Sequence, residues 1–174
     1  MPEATTPSTD RPASRADPAS FLGRTQELEL MRQLLGGGTT RLLTLTGPAG
    51  VGKTRLALEA GQRCGDLFPD GVWCVDLIPI RDPAAVPSAL AASLGVRDAG
   101  PTPLRERLSA CLHARATLLI LDNFEQVLPA APLLDTLLGA APRLRLLVTS
   151  REPLHLRADH TLPVLPLAPP DPAH

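Results

Sequence analysis

The segment Gly47-Pro48-Ala49-Gly50-Val51-Gly52-Lys53-Thr54 fits the pattern GxxxxGK[ST] in full. A polyphosphate needs many N–H donors converging on one point, and glycine lets a backbone curl tightly enough to provide them. Gly47, Gly50 and Gly52 supply that curl, while Pro48, Ala49 and Val51 complete the loop. A helix starting near Gly52 adds unpaired N–H groups and its positive dipole end. Lys53 brings a point charge for the β- and γ-phosphates, and Thr54 brings a hydroxyl for Mg²⁺. Arg55, next in the chain, joins the candidate nucleotide-binding set. A glycine-rich turn carrying a surface lysine is the plainer reading, and it does not account for a Lys-Thr pair at this spacing.

Further along, the apolar run Leu118–Leu121 delivers Asp122 to the carboxyl end of a strand, where ligands bind in open α/β sheets. Asp122 is the candidate to hold Mg²⁺ with Thr54, through water. Without the glycine loop it would read as a turn or helix cap. Asn123 stands where many hydrolytic phosphate-loop proteins carry an acid that activates water, and an amide cannot accept that proton at neutral pH. Rapid hydrolysis is therefore not implied. Glu125 is the nearest carboxylate and is either a catalytic base or a solvated charge in the following helical turn. Thr149-Ser150-Arg151 leaves a later strand, and on these residues alone Arg151 is a surface arginine.

These residues require alternating strands and helices, and the chain supplies them. Leu42–Thr46 is a short β-favouring run that reads as a buried central strand ahead of the glycines, and Gly52 to about Cys64 reads as the helix after them. Leu28, Met31 and Leu35 repeat at helical spacing before Gly36-Gly37-Gly38 ends that helix. Val72–Val75 is a second strand. Pro83 suits the first turn of the next helix, and Leu104, Leu108, Cys111 and Leu112 mark another. Val127, Ala131, Leu134 and Leu138 keep helical register, although Pro129 and Pro132 can split that helix. Leu144–Val148 is a fourth strand and Leu162–Leu165 a weak fifth. Residues 1–20 read as a disordered Pro-, Ser- and Thr-rich leader, 21–167 as the folded unit and 168–174 as a Pro-rich tail.

The chain's 174 residues suffice for one α/β domain with a real core. With only four aromatics (Phe21, Phe68, Trp73 and Phe124), that core must be built from Leu, Val and Ala. Seventeen basic against eighteen acidic residues give no broad positive field, so direct nucleic-acid binding is not expected and any basic site must be local. No apolar stretch approaches a membrane span, and no basic, apolar leader opens the chain, which points to a cytoplasmic protein. Cys64, Cys74 and Cys111 lack metal or CxxC spacing and read as reduced, structural thiols. The four histidines match no zinc pattern, and no serine sits in a GxSxG elbow.

Taken together, these motifs resemble the STAND NTPases, in particular the NB-ARC-like ATPase modules of large bacterial transcriptional regulators of the SARP and LuxR-like type. The resemblance covers about residues 21–167. Phe21-Leu22-Gly23-Arg24-Thr25-Gln26-Glu27 resembles the family's hhGRxxE element, which implies that Phe21, Gly23 and Arg24 help to enclose adenine and ribose. Gly47–Thr54 matches the family's Walker A and Leu118–Asn123 its Walker B. Thr149-Ser150-Arg151 is similar to its sensor segment, which implies that Arg151 faces the γ-phosphate. The family's fold is a three-layer α/β/α sandwich around a mostly parallel five-stranded sheet of order 5-1-4-3-2. The resemblance implies an ATP- or ADP-binding, Mg²⁺-dependent regulatory switch with slow hydrolysis, working beside other regulator domains or protein partners. A turnover ATPase of AAA-like type, a small-molecule kinase and a non-cycling interaction module are the alternatives.

Overall fold

The computed structural model describes residues 23–167. The proposed leader, the Pro-rich tail and Phe21 lie outside the described residues. Five strands form one sheet: β1 (Leu42–Thr46), β2 (Val72–Asp76), β3 (Leu118–Asp122), β4 (Arg145–Ser150) and β5 (Asp159–Pro163). Their order is β2-β3-β4-β1-β5 and every neighbouring pair is parallel. This is the expected 5-1-4-3-2 order, with β4 inserted between the strand that precedes the glycine loop and the strand that ends at Asp122.

Parallel strands covered on both faces read as continuous apolar runs, and β1 and β3 are buried at every position. Helices α1 (Thr25–Gly36) and α2 (Lys53–Arg63) cover one face, where Met31, Leu35, Leu56 and Ala60 meet Leu43, Leu45, Ile120 and Leu147. Helices α3 (Val86–Leu94), α4 (Leu104–His113) and α5 (Ala131–Ala140) cover the other, where Leu90, Leu108, Leu112 and Leu134 meet Leu119, Leu121, Leu146 and Val148. Leu and Ala dominate both layers, as the shortage of aromatics requires.

One local expectation changes and two are refined. The fifth strand begins at Asp159, three residues before the apolar run that signalled it. It is a half-exposed edge strand pairing only with β1, so polar Asp159 and His160 fit within it. The helical register from Val127 to Leu138 is split in two, as Pro129 and Pro132 allow: a 3₁₀ segment, Phe124–Ala130, has non-helical φ/ψ at Val127, and α5 starts afresh with Pro132 in its first turn. Pro83 opens a short 3₁₀ turn, capped by Asp82, that leads into α3. All three cysteines are free; Cys64 is buried, whereas Cys74 borders solvent on edge strand β2.

Candidate functional site

The loop after β1 adopts a conformation that only glycine takes freely. Gly47, Gly50 and Gly52 have φ of +150°, +78° and +96°. At Gly47 space is also decisive, because a Cβ there would stand 2.7 Å from the Val164 carbonyl oxygen. Pro48, Ala49 and Gly50 are exposed, while Val51 is half-buried. Gly52 then caps α2, whose first residue is Lys53. The Lys53 side chain folds back over the loop, and Nζ donates to the carbonyls of Gly47 (2.8 Å) and Pro48 (2.9 Å).

Asp122 is 6% exposed at the end of β3, and a carboxylate that deep must be hydrogen-bonded. Three donors surround it. Thr54 Oγ1 lies 2.8 and 2.9 Å from its two oxygens, Thr149 Oγ1 donates to Oδ1, and Asn123 Nδ2 donates to Oδ2 at 3.0 Å. Thr149 also accepts the Asn123 backbone N–H at 2.9 Å, so one hydroxyl joins β4 to the turn after β3. Asn123 adopts φ +63°, which asparagine tolerates better than most residues, and its side chain also lies 3.5 Å from Asp76 Oδ1. The structure thus brings Thr54 and Asp122 together as the sequence predicts. The Thr149 hydroxyl and Asp76 were not anticipated, and only the strand register reveals them. Thr54 and Asp122 form a hard-oxygen donor set that suits a small divalent cation, whereas a thiol would not. Partial desolvation, then the charges of Asp122 and Asp76, push the Cys74 thiol, on the solvent-bordering side of β2, up to about 11.

Glu125 and Arg151, expected in separate roles, meet each other. Arg151 Nε lies 3.5 Å from Glu125 Oε1, with Arg151 largely exposed and Glu125 largely covered. The second Glu125 oxygen is buried without a hydrogen-bond partner. Gly23 has φ +103°, and the side chain of buried Arg24 donates to the carbonyls of Val51 (3.0 Å) and Leu165 (2.9 Å) and pairs with Glu27 at 3.4 Å. Arg24 therefore ties the glycine loop to the segment after β5. Arg55 lies on the exposed side of the first turn of α2.

The family model described as "AAA domain" matches residues 36–157. An uncharacterized protein of Mycobacterium tuberculosis is 37% identical over 157 residues, covering 90% of this chain and 39% of its own length. An HTH-type transcriptional regulator of the same species is 39% identical over 132 residues, 75% of this chain and 14% of that protein. Regulatory protein AfsR of Streptomyces coelicolor is 34% identical over 123 residues, 66% of this chain and 12% of that protein. The chain thus spans well under half the length of these relatives. Among solved structures, Cdc6p from Pyrobaculum aerophilum has a TM-score of 0.59 at 20% identity, over 80% of this chain and 42% of that one. A STAND protein with a tetratricopeptide repeat sensor from Pyrococcus horikoshii has a TM-score of 0.52 at 18% identity, over 83% and 23%. Both agree in fold. No helix among the described residues is long and apolar enough to cross a membrane.

Proposed function

The chain belongs to the AAA-domain family of P-loop NTPases, resembling the ATPase modules of regulator-like proteins, and from that premise we propose that it binds ATP and ADP with Mg²⁺ as a slow regulatory switch. The observation that carries this reading is the Thr54 hydroxyl held 2.8 Å from Asp122 at the exit of a loop with three left-handed glycines. The loop's N–H groups and the N-terminus of α2 receive the phosphates, Lys53 neutralises them, and Thr54 and Asp122 hold the metal. When bound, Mg²⁺ neutralises charge on the phosphate oxygens. Gly23 and Arg24 border the adenine side, Pro48, Ala49, Val51 and Arg55 complete the phosphate cradle, and Arg151 senses the γ-phosphate.

Slow hydrolysis has its own support. Asn123 is spent on holding Asp122 and cannot act as a base, and the Glu125 carboxylate is paired with Arg151. The longer regulator relatives support a role beside other domains, whose contacts would differ between the ATP and ADP states.

A thermal melt tests the reading. A ligand at a hundredfold excess over its Kd stabilises the native state by about 2.7 kcal/mol. At roughly 2–4 °C per kcal/mol for a domain of this size, Mg-ADP raises the midpoint by about 5–11 °C. Lys53→Ala abolishes that shift while leaving the protein folded. No shift with Mg-ADP, or an equal shift in the Lys53→Ala variant, sinks the assignment, and an equal shift with Mg-GDP removes adenine selectivity.

A further inference from the structure

At the end of the sheet opposite the glycine loop stand two arginines that form no ion pair among the described residues. Arg41 precedes β1 and Arg145 opens β4, and the β1–β4 register, with Leu42 opposite Leu146, sets the two arginines side by side. Like charges so placed destabilise a sheet. Arg41 Nη2 donates to the Leu138 carbonyl at 2.7 Å and to that of Ala141, capping α5. Arg145 Nη1 donates to the Leu144 and Pro142 carbonyls at 3.1 and 3.4 Å. The Nε of each is buried with no hydrogen-bond partner. Asp70 accepts from the Ala116 N–H at 2.7 Å, and Asp159, opposite Leu42 at the start of β5, accepts from the Leu154 N–H at 3.0 Å. Burial, reinforced by the Arg41 charge, pushes the Arg145 guanidinium below its ordinary pKa, as expected of a cation that forms no ion pair.

Beside Arg145 lies a recess of about 230 Å³. Arg143 and Arg145 form its cationic wall, and Leu67, Phe68 and Pro142 form an apolar one. The volume falls below the roughly 300–1,000 Å³ of ligand and cofactor pockets. It suits a side chain better than a second nucleotide, and its mixed walls suit an occupant that is part charged and part apolar.

We propose that this recess receives a carboxylate side chain with an apolar neighbour, presented by an acidic segment of a protein partner, with Arg143 and Arg145 as the anion-binding residues. A guanidinium–carboxylate contact is charge-assisted and directional, and here it supplies an ion pair that the described residues do not. The recess lies at the amino ends of the strands, away from Lys53 and Asp122, so this proposal stands or falls independently of nucleotide binding.

The test follows the arginine Nε–H resonances by NMR while the full chain is titrated with a capped Leu-Glu-Glu-Leu peptide. Its Leu-Gln-Gln-Leu counterpart and inorganic phosphate, at matched ionic strength, are the comparison arms. The glutamate peptide shifts the Arg145 Nε–H signal saturably, and its affinity falls as salt rises. The glutamine peptide and phosphate each bind at least about tenfold more weakly, the ratio expected when a charge-assisted contact of about 1.5 kcal/mol or more is lost. Arg145→Gln and Arg143→Gln weaken the glutamate peptide by a similar factor. Arg143 is exposed, so its variant keeps the fold, which circular dichroism verifies. Four results overturn the proposal: no saturable shift, an equal response to the glutamine peptide, an equal response to phosphate, or unchanged affinity in a folded Arg143→Gln protein.

Discussion

Replacing Thr149 by valine removes one hydroxyl from a position that is 1% exposed, with little change in side-chain shape. That hydroxyl accepts the Asn123 backbone N–H at 2.9 Å and donates to Asp122, so the change strands two groups. Leaving a buried polar group unpaired costs about 1–3 kcal/mol. Asp122 still receives Thr54 and Asn123, which holds its share near the lower end. The sum is about 2–4 kcal/mol, and at roughly 2–4 °C per kcal/mol the midpoint falls by about 4–16 °C. Thr149→Ser keeps the hydroxyl and deletes one methyl, a loss of about 1 kcal/mol. Urea unfolding followed by circular dichroism separates the two, provided both keep the parent's denaturant slope, since a changed slope signals an altered denatured state. If Thr149→Val is as stable as Thr149→Ser, the hydroxyl does not hold β4 to the turn after β3, and the reasoning fails.

Gly61 lies where α2 crosses the sheet, and an added Cβ would stand 2.6 Å from Ile120 Cδ1 and 3.1 Å from Val72 Cγ1. Gly61→Ala therefore destabilises by about 1–2 kcal/mol despite alanine's higher helix propensity, and a variant as stable as the parent contradicts this. Glu125→Gln releases Arg151 and strengthens ATP over ADP by roughly two- to fivefold, the scale of an exposed ion pair, with hydrolysis unchanged. Calorimetry and phosphate release check it, and a fall in hydrolysis at unaltered affinity would make Glu125 a base instead.

What was legible in the sequence was whatever depends on local pattern. Leu118–Leu121 is apolar throughout and Leu42–Thr46 is built of leucine and β-favouring threonine because both faces of their strands are covered, so each was visible as a buried strand. The glycines of the loop were visible because left-handed backbone at three spaced positions leaves a residue-type imprint. The position of β4 was not readable from pattern and came only with the family resemblance, since sheet order is a long-range property. Contacts made across that order were hidden for the same reason. Thr149 reaches Asp122 because β4 lies beside β3, and Arg24 spans 141 residues to Leu165. Edge strand β5 was misplaced because an exposed edge imposes no apolar pattern at Asp159 and His160.

The two halves of the site differ in how far they are already arranged for the proposed ligand. A threonine hydroxyl has one hydrogen and two lone pairs, so Thr54 can donate to Asp122 and still offer lone pairs to a cation. Asp122 offers about four acceptor sites to three donors, which leaves capacity facing the loop. On the proposed function, the residues that would hold the metal are fixed to one another by contacts from α2, β3 and β4. Lys53 is placed differently, because two of its three donors are committed to the Gly47 and Pro48 carbonyls. To meet phosphate it must exchange those bonds for stronger, charge-assisted ones. On the proposed function, the lysine contacts that close the loop on itself are thus the ones that phosphate would replace, so the rearrangement on binding would fall on Lys53 and the loop rather than on the Asp122 cluster.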